Sequence, residues 1–216
     1  MPQDVAFSPG SVVNSASFSA GIAPGGLFTI FGDGLAGPGA ATVIQIDGVT
    51  AAVVAQAPFQ INAQVPLDLA PGVYRLLVKS PYGQAEQPLE IRETAPALFL
   101  LAGSWSGQGR AAIVNQDGRL LNSPLHPARR RQTVVAYCTG LGGVVSRGGL
   151  SWARNLAAGV LDGRVVPVAY AGLTPGFIGL YQVNVPIPAA TSPGLELPFQ
   201  LRQGDSESNM VRLSVE

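Results

Sequence analysis

Gly26-Leu27-Phe28-Thr29-Ile30-Phe31-Gly32-Asp33-Gly34-Leu35 and Gln132-Thr133-Val134-Val135-Ala136-Tyr137-Cys138-Thr139-Gly140-Leu141 are two versions of one phrase, an apolar run that ends in Gly-Leu. Outward from it, Ile46-Asp47-Gly48-Val49 is answered by Leu161-Asp162-Gly163-Arg164. Gln60-Ile61-Asn62-Ala63-Gln64-Val65-Pro66 is answered by Gln182-Val183-Asn184-Val185-Pro186, and Pro71-Gly72 by Pro193-Gly194. Four matches in the same order, offset by 106 to 122 residues, indicate a duplicated domain and not a short solenoid repeat.

Each copy has the pattern of β-structure. Residues 27–31, 42–46, 49–55, 60–65, 73–78 and 87–91 are short apolar or alternating runs bounded by turn residues, and so are 111–115, 133–138, 160–161, 165–170, 180–185, 197–202 and 209–215. Asp47-Gly48, Asp117-Gly118 and Asp162-Gly163 are hairpin signals, because a type I′ turn needs positive φ at both central residues. A turn or two of helix is expected only near 152–158. Composition agrees: 47% hydrophobic and 12% charged residues, with 27 Gly and 18 Pro in 216 residues, fit neither a helical bundle nor a disordered chain. The expected fold is all-β, two tandem immunoglobulin-like β-sandwich domains with little or no helix. Residues 1–18 precede the repeat as an N-terminal arm or first strand, 19–94 form the first sandwich and 95–216 the second. The short linker at 93–97 sets the domains at a semi-fixed angle.

A family pattern emerges from several of these stretches together. They are Asn14-Ser15-Ala16-Ser17-Phe18, Gly21-Ile22-Ala23-Pro24-Gly25, Thr29-Ile30-Phe31-Gly32, Gln60-Ile61-Asn62, Gln64-Val65-Pro66, Tyr137-Cys138-Thr139-Gly140-Leu141-Gly142, Tyr170-Ala171-Gly172-Leu173-Thr174-Pro175-Gly176-Phe177 and Leu180-Tyr181-Gln182-Val183-Asn184-Val185. In combination, over residues 11–216, the chain resembles a Solibacter-type uncharacterised C-terminal domain family, and each half is similar to the IPT/TIG immunoglobulin-like module. The resemblance implies a pair of sandwiches in an exported bacterial protein and supplies no catalytic residues. The chain departs from the family at Arg129-Arg130-Arg131, where a Pro/Gly turn is usual, and in the 146–158 loop with Trp152.

The residues that could carry chemistry are few. Thirteen basic residues balance thirteen acidic ones, which argues against a nucleic-acid surface. A neutral, sparsely charged surface favours self-association. His126 is the single histidine and sits in a Pro-bounded loop. Cys138 is the single cysteine and lies mid-strand, so no intramolecular disulfide forms. Arg129-Arg130-Arg131 is a solvated cluster, and Lys79, the only lysine, stands at a strand end beside a turn. Gly32-Asp33-Gly34 and Gly140-Leu141-Gly142-Gly143 lack the Lys-Ser/Thr of a nucleotide loop and mark turns or close backbone approach. Asp33, Asp47, Asp117, Asp162 and Asp205 occupy turns without calcium-loop spacing. The two Gln-x-Asn pairs, Gln60/Asn62 and Gln182/Asn184, place amides on one strand face in a structural role. No catalytic residue, metal ligand or cofactor is assigned.

The expected function is therefore non-enzymatic: an extracellular or cell-surface structural or adhesion module that self-assembles into a homo-oligomer or filament. In this reading the N-terminal arm adds a strand to a neighbour's open edge, with Val5, Phe7, Val12, Val13 and Phe18 as apolar anchors. The alternative is an accessory module that binds glycan or another exported protein through Trp105, Trp152, Tyr82 and Phe177. No run of eighteen apolar residues marks a transmembrane helix. Residues 1–20 lack a basic region followed by a continuous apolar one, so a leader is expected to have been removed or replaced.

Overall fold

The computed structural model describes residues 4–39, 41–101, 109–116 and 118–216. Among them the one helical element is a 3-10 turn at Pro9–Ser11. The rest of the regular structure is antiparallel strand. The first half comprises β1 (Val12–Asn14), β2 (Leu27–Phe31), β3 (Val43–Ile46), β4 (Val49–Ala57), β5 (Gln60–Gln64), β6 (Gly72–Ser80) and β7 (Gly83–Ile91). One layer runs β1-β2-β5-β4 and the other β4-β3-β6-β7. Strand β4 serves both: Val49–Ala51 pair with β3, and from Ala52 onward the strand pairs with β5, with a register shift between Val53 and Ala55. A bulge bends its strand, and this one lies just beyond the point where β4 passes from β3 to β5. Alternation turns Phe28, Ile30, Ile61 and Ala63 from one layer, and Ile44, Ile46, Leu76 and Val78 from the other, into a shared core.

The second half comprises β8 (Ala97–Leu98), β9 (Ile113–Val114), β10 (Thr133–Thr139), β11 (Val144–Arg147), β12 (Leu150–Ala153), β13 (Ala158–Leu161), β14 (Arg164–Val166), β15 (Tyr170–Leu173), β16 (Tyr181–Pro186), β17 (Gly194–Gln203), β18 (Ser206–Glu207) and β19 (Val211–Val215). One sheet runs β11-β12-β15-β16-β10, with β8 and β9 on the far side of β10. The other runs β14-β13-β17, with β18 and β19 beyond. The copies correspond in their strand order: β10 takes the place of β2, β16 of β5, β13 of β3 and β17 of β6. This is the two-layer order of an immunoglobulin-like sandwich, present twice. Among the described residues, no strand pairing joins residues before 92 to residues after 96.

The turns follow the sequence. Asp47 and Gly48 have φ of +45° and +84°, and Asp162 and Gly163 of +50° and +73°, as a type I′ hairpin demands. Of the third pair, Asp117 lies outside the described residues. Two expectations are corrected. Residues 152–158 are not helical but end β12 and lead into β13. Strand β12 forms a hairpin with β11, closed by Gly148 and Gly149 at positive φ. The single run expected at 165–170 is split into β14 and β15, because Pro167 has no N–H to donate to a ladder.

The N-terminal segment is not a free arm. Val5, Phe7 and Val12 lie in the first core and Val13 is buried beside them. Strand β1 pairs with β2 in the register Val12↔Ile30, Val13↔Thr29, Asn14↔Phe28. Ala6 exchanges both backbone bonds with Asp33, and the Gln87 amide donates to the Phe7 carbonyl. The segment is the first copy's edge strand. Val12-Val13 faces β2 as Ile113-Val114 faces β10, and Ala6↔Asp33 repeats Ala97↔Thr139. Its apolar side chains complete their own sandwich, so they are not available as anchors on a neighbour. Phe18 alone of the five stays exposed, at 58%, with φ +53° and its ring 6.1 Å from Phe31.

Because Phe7 fills the first core, Phe7→Ala is expected to destabilise that domain by about 3 kcal/mol, read from urea unfolding. A free arm predicts no change.

Candidate functional site: the domain junction

Between β7 and β8 the chain crosses in residues 92–96, and the crossing is held on both sides. The Ala95 N–H donates to the Gly140 carbonyl at 2.8 Å, and the Ala95 carbonyl accepts from Asn14 Nδ2 at 3.1 Å. The Leu27 N–H donates to Thr139 Oγ1 at 2.7 Å, and that hydroxyl donates onward to the Gly179 carbonyl at 3.0 Å. The Tyr181 hydroxyl, fully buried, donates to the Gly142 carbonyl at 2.7 Å and lies 3.3 Å from the Pro24 carbonyl of the first sandwich.

Glycine makes this closeness geometrically possible. A Cβ on Gly26 would come within 3.2 Å of the Gly140 backbone. One on Gly140 would overlap the Ala95 carbonyl, and one on Gly142 the Glu93 carbonyl. Gly140 also has φ +80°, a conformation that costs other residues energy. Of the Gly-Leu phrase, the leucine belongs to the core in each copy, with Leu35 and Leu141 both at 0% exposure. In the second copy the glycine belongs to the junction.

Burial sets the chemistry of the junction. It pushes the Cys138 thiol well above its ordinary value. It pushes the Tyr181 phenol up as well, with the Cys138 charge adding to the effect. Both groups are therefore held protonated. A thiol at that pKa is no nucleophile. His126 is exposed in the turn at residues 123–126, beside the start of β10 and away from Cys138 near its end.

The linker runs in a polar groove. Thr94 Oγ1 donates to Ser206 Oγ at 3.1 Å, and Asn155 Nδ2 donates to Glu93 Oε1 at 3.0 Å. These contacts strap residues 93 and 94 to the β17–β18 hairpin and the β12–β13 turn. On either side of the strap lie hollows of about 370 and 730 Å³, which share Arg92, Thr94, Asp205 and Ser206. Gln203, only 2% exposed, lines the larger one. Its Nε2 donates to the Leu141 and Asn155 carbonyls at 3.0 and 2.9 Å. Its Oε1 has no hydrogen-bond partner among the described residues.

Of the aromatic residues expected to form a binding surface, the three that are described do not gather. Trp105 lies outside the described residues. Tyr82 packs onto the first core and against Gly37. Phe177, 63% exposed, stands on the β15–β16 turn. Trp152 is engaged by its own sheet: its indole N–H donates to the Arg147 carbonyl at 3.2 Å, the Arg147 guanidinium lies 5.7 Å from its ring centre, and Tyr170 packs edge-on at 4.7 Å. It fastens the β11–β12 hairpin. The Gln-x-Asn pairs are structural in the same way twice over. Gln60 Nε2 donates to Asn62 Oδ1, and Gln182 Nε2 to Asn184 Oδ1, each at 3.0 Å, so the amides satisfy each other. Lys79 and Arg129-Arg130-Arg131 are exposed, with Arg129 paired to Glu216 at 3.0 Å. Thr139, Tyr181 and Gln203 are the site residues that composition and pattern did not flag. Only the repeated Gly140 pointed to this place.

Two sandwiches in tandem, joined by a buried junction, define a two-domain immunoglobulin-like β-sandwich protein. No protein-family model and no curated protein matches the chain. Among solved structures it is similar to SGBP-B of the Bacteroides ovatus mixed-linkage glucan utilization locus, solved with a mixed-linkage heptasaccharide. That match has 17% identity and TM-score 0.28, over 93% of this chain and 43% of that one. It is similar to SGBP-B from a complex xyloglucan utilization locus in Bacteroides uniformis, with 10% identity and TM-score 0.33, over 98% and 49%. It is also similar to titin domains Z1Z2 in complex with telethonin, with 14% identity and TM-score 0.28, over 100% and 99%. The chain spans less than half the length of either SGBP-B. At these scores the likenesses carry no argument about what it binds.

Gly140→Ala is expected to destabilise the protein by about 2 kcal/mol or more, from strain at positive φ and overlap with the linker. Tyr181→Phe is expected to cost about 1–2 kcal/mol, by leaving a buried carbonyl unpaired. Urea unfolding reads both. The pH dependence has a definite sign. Folded Cys138 and Tyr181 hold their protons more tightly than the unfolded chain does, so their contribution is whole below the ordinary values of 9.0 and 10.0 and is lost as pH rises through and beyond them. The unfolding midpoint should fall above pH 9, and less steeply in the double variant Cys138→Ala/Tyr181→Phe.

Proposed function

We propose that this chain is a non-enzymatic structural or adhesion module of an exported bacterial protein, acting as one stiff two-domain arm. The observation that carries the reading is the buried Tyr181 hydroxyl between the Gly142 and Pro24 carbonyls. A junction meant to flex exposes solvated, interchangeable contacts, whereas here the buried Tyr181 hydroxyl loses its Pro24 contact, and the Leu27 N–H its Thr139 Oγ1 acceptor, if the domains part. The resemblance to the Solibacter-type family supports the exported, cell-surface setting. No helix among the described residues is long and apolar enough to cross a membrane.

A second reading, homomeric association, is favoured by one observation: Phe18, in a left-handed conformation and exposed against Phe31. Association would use that face and not strand addition. Edge strand β7 carries Pro88 between Glu86 and Glu90, and β14 and β11 have only three and four residues, all features that blunt an edge.

Residual dipolar couplings measured separately for each domain test the stiff arm. Coincident alignment tensors are expected in the wild type, diverging in Gly140→Ala. Divergent wild-type tensors would remove the reading. Sedimentation equilibrium over a wide concentration range tests association. A mass that rises with concentration, and reverts to that of the monomer in Phe18→Ser, is expected of the second reading. A monomer throughout removes it.

A further inference from the structure

We infer that the free end of the second sandwich docks on the surface of an anionic lipid bilayer, with Leu125 entering the headgroup region and arginines pairing with lipid phosphates. The inference deepens the adhesion reading and rests on it: it states what the end of the arm adheres to. Between β9 and β10 the chain forms a two-residue hairpin. The Ser123 N–H donates to the His126 carbonyl at 3.2 Å, and the His126 N–H to the Ser123 carbonyl at 2.9 Å, which leaves Pro124 and Leu125 at the tip. Leu125 is 86% exposed, and Leu120 and Leu121, just before the hairpin, are 43% exposed each. The hairpin is fixed at its root. Buried Asn122 bonds both the N–H and the carbonyl of Ser214, at 2.7 and 2.9 Å, and buried Asn115 donates to the His126 carbonyl at 2.9 Å. Pro124 and Pro127 fix φ on either side of the tip. A leucine held there adds nothing to the core. It is stabilised only by an apolar medium outside the fold, and its fixed position lowers the entropy lost on docking.

Charge selects the medium. Leu120, Leu125 and Arg129 line one hollow with Glu216. Arg130 and Arg131 follow in a turn closed by the Gln132 N–H on the Arg129 carbonyl at 3.1 Å. Arg129 is paired with Glu216, whereas Arg130 and Arg131, both exposed, form ion pairs with no carboxylate among the described residues. A guanidinium matches a phosphate with two parallel hydrogen bonds. Apolar insertion and attraction to anionic lipid are together what holds a protein at a membrane interface. A soluble polyanion would satisfy the arginines and leave Leu125 in water. The zero net charge of the chain conceals a division between its halves: residues 95–216 carry ten basic and six acidic residues, and residues 1–94 carry three and seven. An anionic surface therefore attracts the second sandwich and repels the first, so the arm stands on its arginine end.

The test is sedimentation of the full chain with vesicles of phosphatidylglycerol mixed with phosphatidylcholine, and with phosphatidylcholine alone. Binding to the mixed vesicles is expected, weakened by salt and absent on the neutral ones. Arg130→Gln and Arg131→Gln should each weaken it about fivefold, and Leu125→Ser about tenfold, all with an unaltered unfolding temperature. Nitroxide labels on Leu125→Cys and, at the far end of the first sandwich, on Phe59→Cys read the orientation. Cys138 is buried with its thiol held protonated and takes no label. On the vesicles the label at 125 should enter the oxygen-rich lipid region and the label at 59 should stay in water. No binding to the mixed vesicles, equal binding to the neutral ones, binding unchanged in all three variants, or a label at 125 that stays in water would overturn the proposal. Dextran sulfate holding the wild type as tightly as the vesicles do would overturn it too, by reducing the end to a bare cation patch. Coincident domain tensors without vesicle binding reject this docking end and leave the stiff arm standing. Divergent tensors with binding through Leu125 reject the stiff arm and leave the docking end.

Discussion

Everything in this molecule is arranged around a contact between two backbones. Gly26 of the first sandwich and Gly140 of the second approach so closely that no side chain fits between them. The geometry is unforgiving because backbone, unlike the end of a long side chain, cannot step aside. Once the two main chains touch, the carbonyls of Pro24, Ala95 and Gly142 and the N–H of Leu27 lose water and need partners. Tyr181, Thr139 and Asn14 supply them. Tyr181 is also part of the second core, beside Cys138. Domain angle and core packing are thereby one problem, and a change in either is felt in the other.

The duplication was legible in the sequence because β-structure repeats its constraints locally. Asp-Gly marks a hairpin wherever two positive φ values are needed, and an alternating run marks a half-buried strand. The N-terminal segment was legible only as an arm or a first strand, for a physical reason. The first copy joins its two edge pieces, Ala6-Phe7 and Val12-Val13-Asn14, through the short 3-10 turn at Pro9–Ser11, whereas the second separates Ala97-Leu98 from Ile113-Val114-Asn115 by a longer stretch. The match is a handful of residues at a different spacing, too short to stand out as a repeat. Read alone, an alternating segment ahead of the repeat fits an arm as well as a first strand. Seen in place, Asn14 and Asn115 do the same work: each is buried, and each N–H bonds a carbonyl five residues on, at Ser19 and Leu120.

The junction was legible only in part. A glycine in a repeated phrase announces that a side chain is unwelcome, but not what comes close. Tyr181 corresponds in the repeat to Phe59. The pattern of the strands treats the two alike, yet Tyr181 is fully buried and Phe59 is 63% exposed. What differs is the neighbour, which lies more than a hundred residues away in sequence for Pro24. Gln203 is harder still. Alternation says that it faces inward, which would ordinarily count against a glutamine there, and only the fold shows its amide serving two carbonyls with one oxygen to spare.

The two copies have diverged at the surface that the junction uses. The first sandwich meets the second through Gly25 and Gly26, with Gly25 at φ +72°. The corresponding residues of the second are Arg131 and Gln132, and Arg131 keeps the left-handed conformation at φ +68°. Backbone shape has been preserved while the small side chain has not. Arg129, Arg130 and Arg131 line that end, exposed, with Arg129 paired to Glu216. Burying guanidinium groups against another backbone would require desolvating charge without a partner. The end of the second sandwich therefore cannot repeat the junction onto a further copy of the domain. The same substitution that makes the arginine cluster look out of place in a turn limits this mode of contact to one occurrence in the chain, and any association between chains must use a different face.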